Sequence, residues 1–237
     1  MATERWLTLP TREGIRDTDL MMLLQELNQD YARAWDSCEE PAFLIEMAAA
    51  AGLPVDLVLQ AASKCCSDAW QHWSGGATDA RPMQIVNAVV KWSQRASGFE
   101  EIWATWELAE QVRREVRAWH QSQQGAVLAN AIQQGVDACH ALATSARNLA
   151  EPEEGHDQHD LERYRNKNQD PANRALLHDA AAAVKLATAA GSWWHSHSEP
   201  SATQEAHDGY ARQVLGFVVR NALDADHVVQ GLRDRLR

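Results

Sequence analysis

The amino-acid sequence predicts an all-α protein, a single irregular multi-helix bundle of about eight or nine helices with one polar loop insertion. Two observations predict this class. Apolar residues recur three and four positions apart through most of the 237-residue chain, which is the spacing of a helix face. The β-branched residues fall inside those helical periods and no Asn-Gly hairpin signal occurs, so we expect no strand.

Proline, glycine and capping residues place the first helices. Asp17 or Thr18 is suited to cap a helix that runs to about Trp35. Pro41 opens a short apolar helix that ends at Gly52. Further helices are predicted over about 54–73, 82–92, 98–119 and 126–150.

The C-terminal part of the chain is predicted to hold three more helices. The first runs over about 172–190 and ends at a Trp193-Trp194-His195 corner. The other two cover about 202–221 and 225–236, with Asp224 as the cap of the last. Residues 1–16 are expected to form an irregular lead-in, and 17–237 the bundle, interrupted by a polar insertion at 151–171.

Charge and hydropathy exclude several classes of function. The formal net charge of −11 repels phosphate backbones, so we expect no nucleic-acid partner. We expect no membrane span, because no run of 18 apolar residues occurs, and the N-terminus MATERWLTLPTREG lacks an apolar signal core. The expected location is therefore the cytoplasm, where the four cysteines are predicted to be reduced, buried thiols.

No familiar catalytic motif occurs, so we expect a protein that is not an enzyme and needs no cofactor. The sequence lacks a phosphate-binding loop, a G-x-S-x-G elbow, H-E-x-x-H and paired C-x-x-C. The best metal candidate is the segment HDQHD at 156–160, with His195 and His197 as helpers. A solvated acidic loop is the favoured interpretation of that segment.

Two groups of residues are candidates for contact with a protein partner. One consists of the adjacent indoles of Trp193 and Trp194. The other is a run of carboxylates with no Lys or Arg among them, which suits steering of a basic protein: Glu151, Glu153, Glu154, Asp157 and Asp160. By contrast, Trp92 and Trp106 complete apolar stripes and are predicted to be core residues.

Three phrases give the chain a resemblance to a known family. They are PAFLIEMAAAAGLPVDLVLQAASKCCSDAW, then TDARPMQIVNAVVKWSQRASGFEEIWAT, and more weakly YARQVLGFVVRNALDADHVV. Together they cover about half of the chain, and they resemble a bacterial all-α family of immunity proteins from polymorphic toxin systems. The resemblance implies a helical bundle without an active site that blocks a toxin encoded nearby.

The favoured hypothesis is therefore a non-catalytic binding protein, of the immunity or bacterial-defence kind, whose partner is another protein and a basic one if charge guides recognition. One alternative is an adaptor or assembly subunit of a larger complex, which would use its helix faces for permanent contacts. A second alternative is a metal-dependent helical enzyme that uses the His and carboxylate groups.

Overall fold

The computed structural model describes residues 18–74, 77–94, 97–123, 126–150 and 177–235. Of these, 85% are helical and none is in a strand, which confirms the all-α class. The ten helices of the described ranges are α1 (Thr18–Glu26), α2 (Tyr31–Ser37), α3 (Pro41–Ala51), α4 (Val55–Trp73), α5 (Arg81–Ser93), α6 (Phe99–Ser122), α7 (Val127–Ala150), α8 (His178–Ser198), α9 (Gln204–Ala222) and α10 (Ala225–Arg235). The lead-in at 1–16 and the insertion at 151–171 lie outside the described residues.

The predicted helix from residue 17 or 18 to Trp35 is wrong, because the chain breaks into α1 and α2. Asn28 and Gln29 adopt positive φ angles of 50° and 63° between the two helices. The Asp30 side chain then accepts a hydrogen bond from the Arg33 backbone N–H at 3.2 Å. Asn tolerates the left-handed region and Asp is a strong N-cap, so a local turn overrides the continuous apolar period.

Helix α3 agrees with the predicted bounds and lies in the interior. Pro41 occupies its first turn, and Gly52 ends it with a φ of 80°, a left-handed conformation that glycine adopts without strain. Most of the side chains between these residues are buried, because α3 is covered by α8, α9 and α10. A helix that is apolar around most of its circumference is typical of such an interior position.

Helix α8 is at the centre of the bundle and packs against α3, α4, α7 and α9. Its contact with α7 is the most extensive in the described part of the chain. Both helices are rich in alanine, which allows their backbones to approach closely. Glycines allow a similarly close approach to α4, because Gly135 of α7 faces Trp70 and Gly191 of α8 faces Trp73.

The predicted corner at Trp193, Trp194 and His195 is wrong, because α8 continues through all three residues to Ser198. The helix was expected to end at about residue 190, just before Gly191. Instead Gly191 is buried within α8, where an added Cβ would lie 2.6 Å from the Trp73 ring. This glycine therefore serves close packing between α4 and α8 rather than termination.

The predicted core positions of the tryptophans are only partly correct. Trp92 is half-buried and packs against the main core. Trp106 is also half-buried, but it lies in a surface cluster rather than in the core. The apolar side of α6 does not extend to Trp119, whose side chain is 41% exposed.

The last two helices lie close to their predicted bounds, and the last one has the predicted cap. The Thr203 hydroxyl accepts a hydrogen bond from the Ala206 N–H at 3.2 Å at the start of α9. Asp224 Oδ1 accepts from the Asp226 N–H at 2.9 Å, which confirms this residue as the cap of α10. None of the described helices combines the length and the apolar character that crossing a membrane requires.

Candidate functional site

The structure separates the residues that were predicted to bind a partner. Trp193 projects from α8 with 40% of its side chain exposed, whereas its neighbour Trp194 is half-buried against the core. Only Trp193 thus presents a large apolar surface at that position. The predicted carboxylates, Glu151, Glu153, Glu154, Asp157 and Asp160, lie outside the described residues.

Of the two described histidines of the metal candidate, His195 has other partners. His195 Nδ1 lies 2.8 Å from His207 Nδ1 across the junction of α8 and α9, and its ring stacks on Tyr210 with centroids 4.5 Å apart. His197 is exposed. Within the described ranges no three His, Cys, Asp or Glu side chains are grouped so that they could hold an ion. The HDQHD segment at 156–160 lies outside them.

A polar seam of side-chain contacts joins α6 and α7. Asp137 of α7 accepts hydrogen bonds from Arg113 Nε at 2.9 Å and from Arg117 at 3.3 Å. Further contacts follow the same antiparallel register towards both ends of the pair. They are His140 Nε2 to Glu110 Oε1 at 2.6 Å and His120 Nε2 to Asn130 Oδ1 at 2.6 Å.

The seam is partly withdrawn from water, and this changes its electrostatics. Asp137 is buried, so its carboxylate depends on the two guanidinium groups to replace lost hydration. Burial lowers the pKa of His140, and the nearby Arg113 lowers it further, although Glu110 acts in the opposite direction. The neutral imidazole is therefore the form that the folded seam favours.

An aromatic cluster with an arginine lies at the end of this seam where α6 begins. The Trp103 ring centroid is 5.8 Å from that of Phe99 and 5.6 Å from that of Trp106. The Arg147 guanidinium carbon of α7 lies 4.5 Å from the Trp106 centroid and 5.3 Å from the Trp103 centroid. Trp103 Nε1–H also donates to Glu107 Oε1 at 3.2 Å. We call these four residues, Phe99, Trp103, Trp106 and Arg147, the aromatic cluster.

The aromatic cluster has the composition of a protein-binding hot spot. Trp103 remains 36% exposed, and Trp and Arg are the side chains that most often dominate interface energetics. Among the described residues, the other exposed aromatics have no such aromatic and cationic neighbours and represent the scattered apolar surface that is normal for a protein: Trp119, Trp193 and Phe217. Sequence reasoning missed the cluster because it placed Trp106 in the core and left Trp103 unassigned.

The surface beside the aromatic cluster is a shallow depression of about 640 Å³ rather than an enclosed pocket. Its described lining comes from one helix, α6, so it resembles the side of a helix that a partner can cover. The lining residues are Ala104, Trp106, Glu107, Leu108, Glu110, Gln111 and Arg114.

The four cysteines offer no accessible nucleophile. Cys38, Cys65, Cys66 and Cys139 are all free and buried, which confirms the predicted buried thiols. Burial raises the pKa of Cys38 to about 11 and that of Cys139 to about 12. Thiols in this environment stay protonated at neutral pH and react slowly.

The chain was compared with models of protein families, with curated proteins and with solved structures, and none of them matches it.

Proposed function

We propose that this chain is a non-catalytic protein-binding protein that neutralises a partner protein, in the manner of a bacterial immunity or defence protein. The observation that supports it best is the aromatic cluster. In it, Trp103 of α6 is 36% exposed and lies beside Arg147 of α7, and both helices are long. An indole and a guanidinium fixed at a surface supply a large contact area and charge together.

The α6–α7 pair gives this surface the rigidity that binding requires. The helices are 24 residues each and are joined through the buried Asp137 and its two arginines. A surface that is already ordered loses little conformational entropy when a partner docks. The aromatic cluster is therefore better suited to an interface than an indole on an isolated loop.

The proposed partner is a basic protein encoded near this chain, and the proposed location of the complex is the cytoplasm. The net charge of −11 favours approach of a basic surface and disfavours nucleic acid. The resemblance to immunity proteins of polymorphic toxin systems supports a toxin as that partner. The carboxylates between Glu151 and Asp160 would then steer its approach, and Trp193 would supply a further contact. No cofactor enters this proposal.

Co-expression with the product of the neighbouring gene tests the proposal. The neighbouring product is expressed in a bacterial host with and without this chain, and growth is recorded. We expect growth arrest by the neighbouring product alone, and recovery with this chain in proportion to formation of a stable complex. Growth arrest that persists although both proteins are folded and present would refute the proposal.

A further inference from the structure

We infer that the N-terminal half of α6 is a docking site for an arginine-bearing basic segment of the partner, with Trp103 as its stacking platform. This inference rests on the proposed function, because it names the chemistry that the binding surface recognises. Trp103 supplies an indole that is 36% exposed, and the exposed Glu100 and Glu107 lie on the same face of the helix. A guanidinium is the group that satisfies both features at once.

The helical positions of the charges support this assignment. Glu100 and Glu107 lie three residues before and four residues after Trp103, so all three side chains share one exposed face. The first fourteen residues of α6, 99–112, also include Glu101 and Glu110 and contain no Lys or Arg. The first cation that α6 itself supplies on this face is Arg114, about 10 Å beyond Glu107 along the helix.

The aromatic cluster itself contains the contact that we expect from the partner. Arg147 stacks on Trp106 at 4.5 Å and approaches Trp103 at 5.3 Å, so these indoles already accept one guanidinium. Glu107 Oε1 accepts the Trp103 Nε1–H, which holds the indole in place. A second guanidinium, from the partner, would stack on the exposed part of Trp103 and pair with Glu100 and Glu107. The two negative charges of these carboxylates exceed the single positive charge of Arg147.

Fluorescence anisotropy with labelled homopeptides tests the inference on the full chain. The probes are oligoarginine, oligolysine and oligoglutamate of equal length, measured at low and high salt. We expect oligoarginine to bind more tightly than oligolysine, because the planar guanidinium stacks on an indole whereas an ammonium does not. Equal binding of the two cationic peptides would overturn the stacking role of Trp103.

Matched variants locate the binding. We expect Trp103→Ala to weaken oligoarginine binding about tenfold, and Glu100→Gln/Glu107→Gln to weaken it about threefold. Trp119→Ala removes an equally exposed indole at the other end of α6 and should bind as the wild type does. Glu199→Gln/Glu205→Gln removes the same charge elsewhere on the surface and should also have little effect.

Three further outcomes would overturn the inference. The first is unchanged oligoarginine binding by Trp103→Ala. The second is a loss of binding in Glu199→Gln/Glu205→Gln equal to that in Glu100→Gln/Glu107→Gln. The third is oligoarginine binding that depends only on the carboxylates between residues 151 and 160. The charge reversal Glu100→Arg/Glu107→Arg changes two exposed positions and should abolish oligoarginine binding. It tests the docking site independently if Trp103→Ala folds poorly. The peptide assay needs no biological partner, so its result is independent of the growth experiment. If the peptide binds in a Trp103-dependent way but this chain does not rescue growth, the proposed function is refuted and the docking site is not.

Discussion

Substitution of Gly191 by alanine tests the central packing of the bundle. Within α8 a Cβ at this position would lie 2.6, 2.7 and 2.8 Å from three carbons of the Trp73 ring. Carbon atoms prefer separations of about 3.5–4.0 Å, so the ring or the helix must move by about 1 Å. Trp73 is only 2% exposed and contacts Tyr210 with ring centroids 6.3 Å apart, which leaves the indole little room.

Two opposing contributions set the expected change in the free energy of unfolding. Overpacking of this kind costs about 1–3 kcal/mol, whereas replacing a glycine inside a helix with alanine contributes up to about 1 kcal/mol. We therefore expect Gly191→Ala to destabilise the protein by up to about 2 kcal/mol. For a chain of this length, a loss of about 2 kcal/mol lowers the melting temperature by about 4–8 °C.

Gly209→Ala is the matched control for this experiment. Gly209 also lies inside a helix, α9, but nothing stands within 4 Å of its added Cβ. The Gly209→Ala variant should therefore gain only the higher helix propensity of alanine, which stabilises the protein by about 0.5–1 kcal/mol. Urea and thermal unfolding followed by far-UV circular dichroism measure both variants. If Gly191→Ala is as stable as Gly209→Ala, then Trp73 does not cover Gly191 and the described packing of α4 on α8 is refuted.

Three further predictions concern the seam and the thiols. Asp137→Ala should cost about 1–3 kcal/mol in urea unfolding, because two guanidinium groups lose their shared carboxylate; a cost below about 0.5 kcal/mol would contradict a buried ion pair. Because the pKa of His140 is lowered in the fold, the unfolded chain takes up a proton first as pH falls below about 6.5, so stability declines. His140→Gln should reduce that decline between about pH 7 and about pH 5, and an identical decline would contradict the shift. The four cysteines should resist a disulfide reagent near neutral pH and react only after denaturation, whereas rapid labelling of the native chain would contradict their burial.

The all-α class was predictable because the helical period is a local property of the sequence. Pro41, Gly52 and Asp224 act on their own backbone neighbours, so their roles could be assigned without knowledge of the fold. The turn at Asn28 was missed for the opposite reason. Leu24 and Tyr31 both reach the core, so the apolar period continues although the helix does not.

The role of Gly191 could not be predicted from the sequence, because it depends on a residue more than one hundred positions away. A glycine after an alanine run is typical of a helix end, and only the position of Trp73 shows that it serves close packing instead. Tertiary contacts of this kind leave no periodic signal.

The aromatic cluster was missed for a similar reason. The spacing of Trp106 fits the apolar stripe of α6, which predicts burial, yet Arg147 of α7 meets it near the surface. The pairing of α6 with α7 is what brings these residues together. The sequence could have indicated the cluster only through the antiparallel register of the two helices, which places Trp103 and Arg147 opposite each other.

The most direct test of the proposed function is the dissociation constant of this chain with the purified product of the neighbouring gene, measured by calorimetry. The proposal predicts a stable complex that Trp103→Ala weakens by about tenfold or more, whereas Trp119→Ala leaves its affinity unchanged. Absence of a complex, or equal affinity of wild type and Trp103→Ala, would contradict it.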